Sequence, residues 1–204
     1  RDSLGAHQGI RPGEVNWMTA GKGITHSERF DDPAAFAGSG LELLQSWVAL
    51  PEADEECDPA FDNYPLDLLP TGHDGGVWFR LIAGEAYGLR SAVKTHSPLF
   101  YLHTVLKPGA HVQFPGGYAE RGAYIVAGRV EVDGRDYVAG QMLVFAAGGD
   151  PVINAQEESI VMLFGGEPLG ERYIFWNFVS SRHERIEQAK ADWKAGRFPR
   201  VPGD

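Results

Sequence analysis

Cysteine is almost missing: Cys57 stands alone in 204 residues, so no intrachain disulfide can form. A lone thiol suits a reducing compartment, and a cytoplasmic location is the expectation. Basic residues are also few, 18 Lys and Arg against 28 Asp and Glu, for a net charge of −10. That balance argues against non-specific nucleic-acid binding, which depends on clustered Lys and Arg. It leaves a protein partner possible. No apolar run approaches the roughly 20 residues that a membrane-spanning helix needs, so no membrane role is expected. Methionine is sparse, with three in the chain.

Glycine (26) and proline (13) are plentiful, and they cut the sequence into short apolar runs. Five runs have strand length and strand composition: 43–50, 77–84, 99–106, 122–132 and 159–166. They predict an all-β chain, a sandwich or a barrel. One helix is clear, near the C-terminus. Ser181 and Glu184 have the spacing of a capping box, Ile186, Ala189 and Trp193 recur at helical spacing, and Gly196 with Pro199 ends the run. A second, shorter helix is weakly signalled near 58–68.

The chain repeats itself. At an offset of 127 residues, Gly13 falls on Gly140, Val15 on Met142, Ala20 on Ala147 and Gly21 on Gly148. The first copy contains "GKGITHSE", in which His26 and Glu28 are two residues apart. On a strand such a pair points to one face, so an imidazole and a carboxylate converge. Those donor types suit a divalent metal, and equally the solvated edge where most such pairs lie. Gly21 and Gly23 let the backbone turn sharply before the pair, and the side chains are expected to face a barrel interior. In the second copy the same positions are Ile153 and Ala155, which are not ligands. The second copy also has strands before Gly140 that the first lacks before Gly13. The repeat therefore predicts that the front of the first barrel precedes Arg1.

The segments "RDSLG", "PGEVNWMTAGKGITHSE", "LQSWVALP", "THSPLFYL" and "FWNFVSSRHERIEQAKADWKAGRFP" resemble the pirin family, a branch of the cupin superfamily. The resemblance runs through the whole chain in order. It implies a bicupin: two β-barrels of the double-stranded β-helix type with a C-terminal helix, the first barrel lacking its N-terminal part. Residues 1–50 would be the remainder of the metal-binding N-terminal barrel, 51–75 a linker, 76–176 a C-terminal barrel without metal, and 177–204 a helix and tail packed on a barrel. In that family the N-terminal barrel binds one metal, typically Fe(2+), through an HxH pair and a later HxE. His26 and Glu28 match the later pair, and the HxH pair is not in this sequence. The resemblance implies a quercetin 2,3-dioxygenase that opens flavonols with dioxygen, with Glu28 as ligand and catalytic base and His26 as ligand. The alternative it implies is an iron-binding regulatory protein that acts through a protein partner.

The other candidates read more plainly. "GKGI" lacks the spacing of a phosphate loop and is a turn. His103 and His111 flank Pro108 and Gly109 and could meet across a hairpin, but the repeat places no ligands there, so both are expected to be structural or solvated. His96 reads as a turn residue. Cys57 sits in an acidic stretch that disfavours its thiolate. Trp17 and Met18 read as core.

Overall fold

The computed structural model describes residues 1–30, 34 and 42–204. Part of the expected N-terminal barrel remainder, 31–33 and 35–41, thus lies outside the described residues. The chain is mostly β with one C-terminal helix. It divides into two units, one of Arg1–Ile10, Met18–Asp62 and Leu169–Asp204, the other of Arg11–Trp17 and Asn63–Pro168. Strands β1 (Val15–Thr19) and β2 (Ala60–Tyr64) pair with each other, and Asn63 donates a side-chain hydrogen bond to Asn16 at 2.8 Å.

The second unit holds two antiparallel sheets. Its strands are β3 (Thr71–Asp74), β4 (Val77–Ala86), β5 (Leu89–Arg90), β6 (Leu99–Leu106), β7 (His111–Gln113), β8 (Glu120–Ala127), β9 (Arg129–Val132), β10 (Arg135–Val138), β11 (Met142–Phe145), β12 (Val152–Ala155) and β13 (Ser159–Gly166). One sheet runs β11-β8-β13-β6-β4-β3, with β5 on β4, and the other runs β10-β9-β12-β7. The core lies between them. Leu81, Leu102, Ile125 and Leu163 meet Val112, Val130, Ile153 and Ala155. Each of these leucine, isoleucine and valine side chains contributes about 1.5–3 kcal/mol when fully buried. The expected strands 99–106 and 159–166 are β6 and β13, residue for residue. The run 122–132 is two strands, broken at Gly128, where φ is +85° and a Cβ would lie 2.4 Å from the Glu158 carbonyl.

β4 carries one extra residue against β6. Leu81 pairs with Leu102 and Ala83 with Tyr101, so Ile82 is bulged out. The bulge reverses the facing of the strand. Leu81 lies in the inter-sheet core, whereas Ala83 joins a second cluster with Tyr64, Leu69, Val93 and Leu99.

The first unit is built on less regular structure: the hairpin β14 (Tyr173–Phe175) and β15 (Phe178–Ser180), the helix α1 (His183–Lys194) and the loop before β2. A polar hub ties these together. The carboxylate of Glu55 faces the Arg172 guanidinium at 2.9 Å, both side chains being 9% exposed. It also accepts from the Ser180 hydroxyl at 2.9 Å and from the Ser181 amide at 2.8 Å. Four expectations are corrected here. Ser181 spends its hydroxyl on Glu55, so the capping box does not form and α1 begins at His183 with no side-chain cap. Trp193 is 47% exposed rather than core, lying against Trp176 and Phe198, while Ile186 and Ala189 are buried. The span 58–68 holds β2 and a single 3-10 turn at Leu66–Leu68, not a helix. Residues 43–50 form no strand, for no strand lies beside them among the described residues, and a ladder needs a partner. No helix among the described residues is long and apolar enough to cross a membrane.

Candidate metal centre

The chain approaches His26 through the turn after β1. Gly21 has φ +50°, and a Cβ on it would stand 2.1 Å from the Cys57 carbonyl oxygen. Only glycine fits that approach. It lets the Lys22 amide donate to the Cys57 carbonyl at 2.9 Å, which fixes the turn. The offset of 127 is visible in the backbone: Gly13 and Gly140 have φ +83° and +86°, Gly21 and Gly148 have +50° and +90°, and β1 corresponds to β11.

His26 then forms an antiparallel bridge with Asp2. The bridge is held on both sides, by the Ser3 amide donating to the Thr25 carbonyl at 2.8 Å and the Ser27 amide donating to the Arg1 carbonyl at 2.9 Å. Asp2 shapes its own end of this pairing. Its buried carboxylate accepts from the amides of Leu4 and Ala6 at 2.9 and 3.0 Å and closes the turn there.

His26 and Glu28 alternate with Ser27 and are both exposed. The expected strand is thus a single bridge, and the pair does not face an enclosed interior among the described residues. The reason is local: among the described residues this stretch pairs its backbone only with residues 1–3, and its other contacts are to the C-terminal tail, from the Thr25 hydroxyl to the Pro199 carbonyl and from Arg29 to Asp204. Nor does any ion pair tie up Glu28 among the described residues. Its neighbour Arg29 is engaged by Asp204 at 2.9 Å, and that bond holds the Asp204 carboxyl below its ordinary range. Lys22 is likewise engaged by Asp58. An imidazole and a carboxylate thus stand two residues apart on exposed positions. Their chemistry fits a divalent metal such as iron. They supply two donors, and the described residues bring no third His, Cys, Asp or Glu to them.

The remaining histidines are elsewhere. His103 is half-buried on β6 and His111 exposed on β7, in different sheets, so they do not meet across a hairpin. His96 lies exposed in a bend. Ile153 and Ala155, at the positions equivalent to His26 and Glu28, are buried in the inter-sheet core.

Residues 1–48 match the profile of the pirin family, and residues 101–199 match that of the pirin C-terminal cupin domain. A pirin-like protein of Caulobacter vibrioides is 57% identical over 200 residues, which are 97% of this chain and 69% of that one. The chain belongs to the pirin family. Human pirin is 33% identical, over 91% of this chain and 65% of its own. A crystal structure titled quercetin 2,3-dioxygenase, from Acinetobacter baumannii, superposes with a TM-score of 0.82 at 29% identity, covering all of this chain and 68% of that one. This pirin chain thus spans about two thirds of the length of its relatives.

One group of side chains in this pirin chain escaped the sequence reading: Trp78, Arg80 and His103, which share one face of β4 and β6. The alternation of Trp78 and Arg80 was a signal for it, but their alignment with His103 depends on strand register.

Proposed function

We propose that this chain acts in a flavonol dioxygenase of the quercetin 2,3-dioxygenase type, with His26 and Glu28 as two of the ligands to Fe(2+) or a divalent metal in its place. The observation that carries the reading is the His26–Glu28 pair itself. It joins one nitrogen and one oxygen donor, with no competing ion pair among the described residues, in a pirin-family segment. The structural likeness to a quercetin 2,3-dioxygenase supports the substrate class. The reading assigns the metal to residues 1–50 and leaves 76–176 as a barrel without one.

A bound iron would supply Lewis acidity and one-electron chemistry toward dioxygen. His26 contributes a neutral nitrogen that keeps the site's net charge low. Glu28 contributes a negative oxygen and takes the proton of the flavonol hydroxyl, as a general base. The adjacent Arg29 is held away by Asp204, which leaves the Glu28 oxygens free for that proton.

The test is oxygen uptake and loss of flavonol absorbance with quercetin and the iron-reconstituted full-length protein. Glu28→Gln keeps the shape but removes the basic oxygen. At matched iron content it lowers turnover by about 10²-fold if Glu28 is the base. Equal turnover by the two proteins refutes the base role. Full iron binding with no turnover in the wild type replaces the enzyme reading with an iron-binding protein that acts through a partner.

A further inference from the structure

Arg80 on β4 and His103 on β6 are direct cross-strand partners, and Thr71 on β3 stands on the other side of Arg80. Their neighbours Leu81 and Leu102 point into the inter-sheet core, so Arg80 and His103 point to the opposite face of the sheet. Trp78, two residues before Arg80, shares that face. The three side chains meet there. The guanidinium carbon lies 5.0 Å from the Trp78 ring centroid, and the His103 ring stands edge-on to Trp78 at 5.5 Å.

The arrangement leaves a cation short of acceptors. A guanidinium has five N–H donors. Among the described residues Arg80 donates to no acceptor and pairs with no carboxylate, and its Nε is sealed from solvent without a partner. Stacking on Trp78 attracts the cation, yet leaves the in-plane N–H groups unmatched. Gly13 lies close against the same guanidinium: a Cβ on it would come 2.9 Å from Arg80 Nη1, and its φ of +83° also favours glycine. Like charges facing each other across a ladder are unfavourable. Here burial, and then the Arg80 charge, hold the His103 imidazole below its ordinary pKa, so it stays neutral and able to donate one hydrogen bond. The surrounding face is apolar: Val105 is paired with Trp78, Ile160 with Val105, and Met162 with His103.

We propose that Arg80, His103 and Trp78 form a binding site for a small monocarboxylate carried on a flat apolar body. The carboxylate takes the free edge of the guanidinium fork and a hydrogen bond from His103. The body lies along Trp78 and the apolar row beside it. One permanent cation beside a neutral imidazole matches a single negative charge. A phosphate dianion there would keep a charge uncompensated. This site is separate from the His26–Glu28 reading and stands or falls without it.

Benzoate is the probe. It is titrated into the protein while tryptophan fluorescence and the His103 ring-proton resonances are followed. Saturable binding is expected, with a dissociation constant on the order of millimolar, as suits one charged contact and a small ring. Arg80→Met weakens it by about tenfold or more, and Arg80→Lys, which keeps the charge but loses the fork, by less. Benzamide, the neutral analogue, does not compete. The proposal is overturned if benzoate shows no saturable binding, if it binds a folded Arg80→Met or Arg80→Lys protein as tightly as the wild type, or if benzamide binds equally well. Inorganic phosphate binding more tightly than benzoate at the same residues overturns the carboxylate assignment.

Discussion

Glu55→Ala is expected to unfold the C-terminal hairpin and helix from their anchor. The carboxylate is nearly sealed from solvent and serves Arg172, Ser180 and Ser181 together. Removing one member of a buried ion pair typically costs about 3–5 kcal/mol, because the other charge stays buried. Arg172 is not wholly orphaned, since it also donates to the carbonyls of Leu50 at 2.9 Å and Leu169 at 2.8 Å. That places the loss near the lower end, about 3 kcal/mol. Glu55→Gln, which keeps an acceptor for the serines, should lose about half as much. Urea unfolding followed by tryptophan fluorescence measures it. Trp176 and Trp193 report this unit, and Trp176→Phe and Trp193→Phe backgrounds separate their signal from that of the other tryptophans. A loss under about 1 kcal/mol, the value of an exposed pair, would refute the buried-hub reasoning.

Tyr87 gives a pH test. Its hydroxyl donates to the Gln113 carbonyl, and burial pushes its pKa from 10.0 up to about 12. The folded chain therefore holds this proton more tightly than the unfolded chain. The stability it contributes is whole below pH 10 and is lost as pH rises toward about 12. Tyr118 is shifted the same way, so the difference between wild type and Tyr87→Phe isolates the effect: the variant should lose less stability across that window in alkaline urea titrations. Trp193→Ala should cost about 2 kcal/mol in the same urea assay, since a half-exposed ring forfeits only part of the 3–5 kcal/mol of a buried one. A loss of about 4 kcal/mol would show the ring to be buried in solution.

The strands of the two-sheet unit were legible because β6 and β13 are central in their sheet, with one face in the core and the other half-buried, so most of their residues are apolar or aromatic. "LLQSWVAL" has the same composition and no strand, because composition reports a tendency to pair and not the presence of a partner. The C-terminal helix was legible in its periodicity but not in its start. Ser181 has the right spacing for a cap, and a carboxylate distant in sequence captured its hydroxyl. Periodicity also placed Trp193 on the inward side of the helix without saying how far the neighbouring hairpin would cover it. At the candidate metal site, the glycines and the His26–Glu28 alternation were readable directly. The Asp2 turn that pins His26 was not, because a carboxylate that closes a turn on its own chain has no spacing signature. Arg80 and His103 meet only through register, which two distant strands do not announce.

The single extra residue in β4 makes one strand a shared wall between two differently packed interiors. Deleting Ile82 would remove the residue that β6 does not pair. Leu81 would stay opposite Leu102 and Ala83 opposite Tyr101, so plain alternation would keep Leu81 in the inter-sheet core and Ala83 in its own cluster. Drawing Ile82 into the ladder is the change that inverts the strand. Every following residue would slip by one, driving the charged Glu85 toward the interior that Ala86 now helps to fill and pulling Ala83 out of its cluster. The bulge therefore acts as slack in the strand: a residue lost there is absorbed, while a slip in register past it is not.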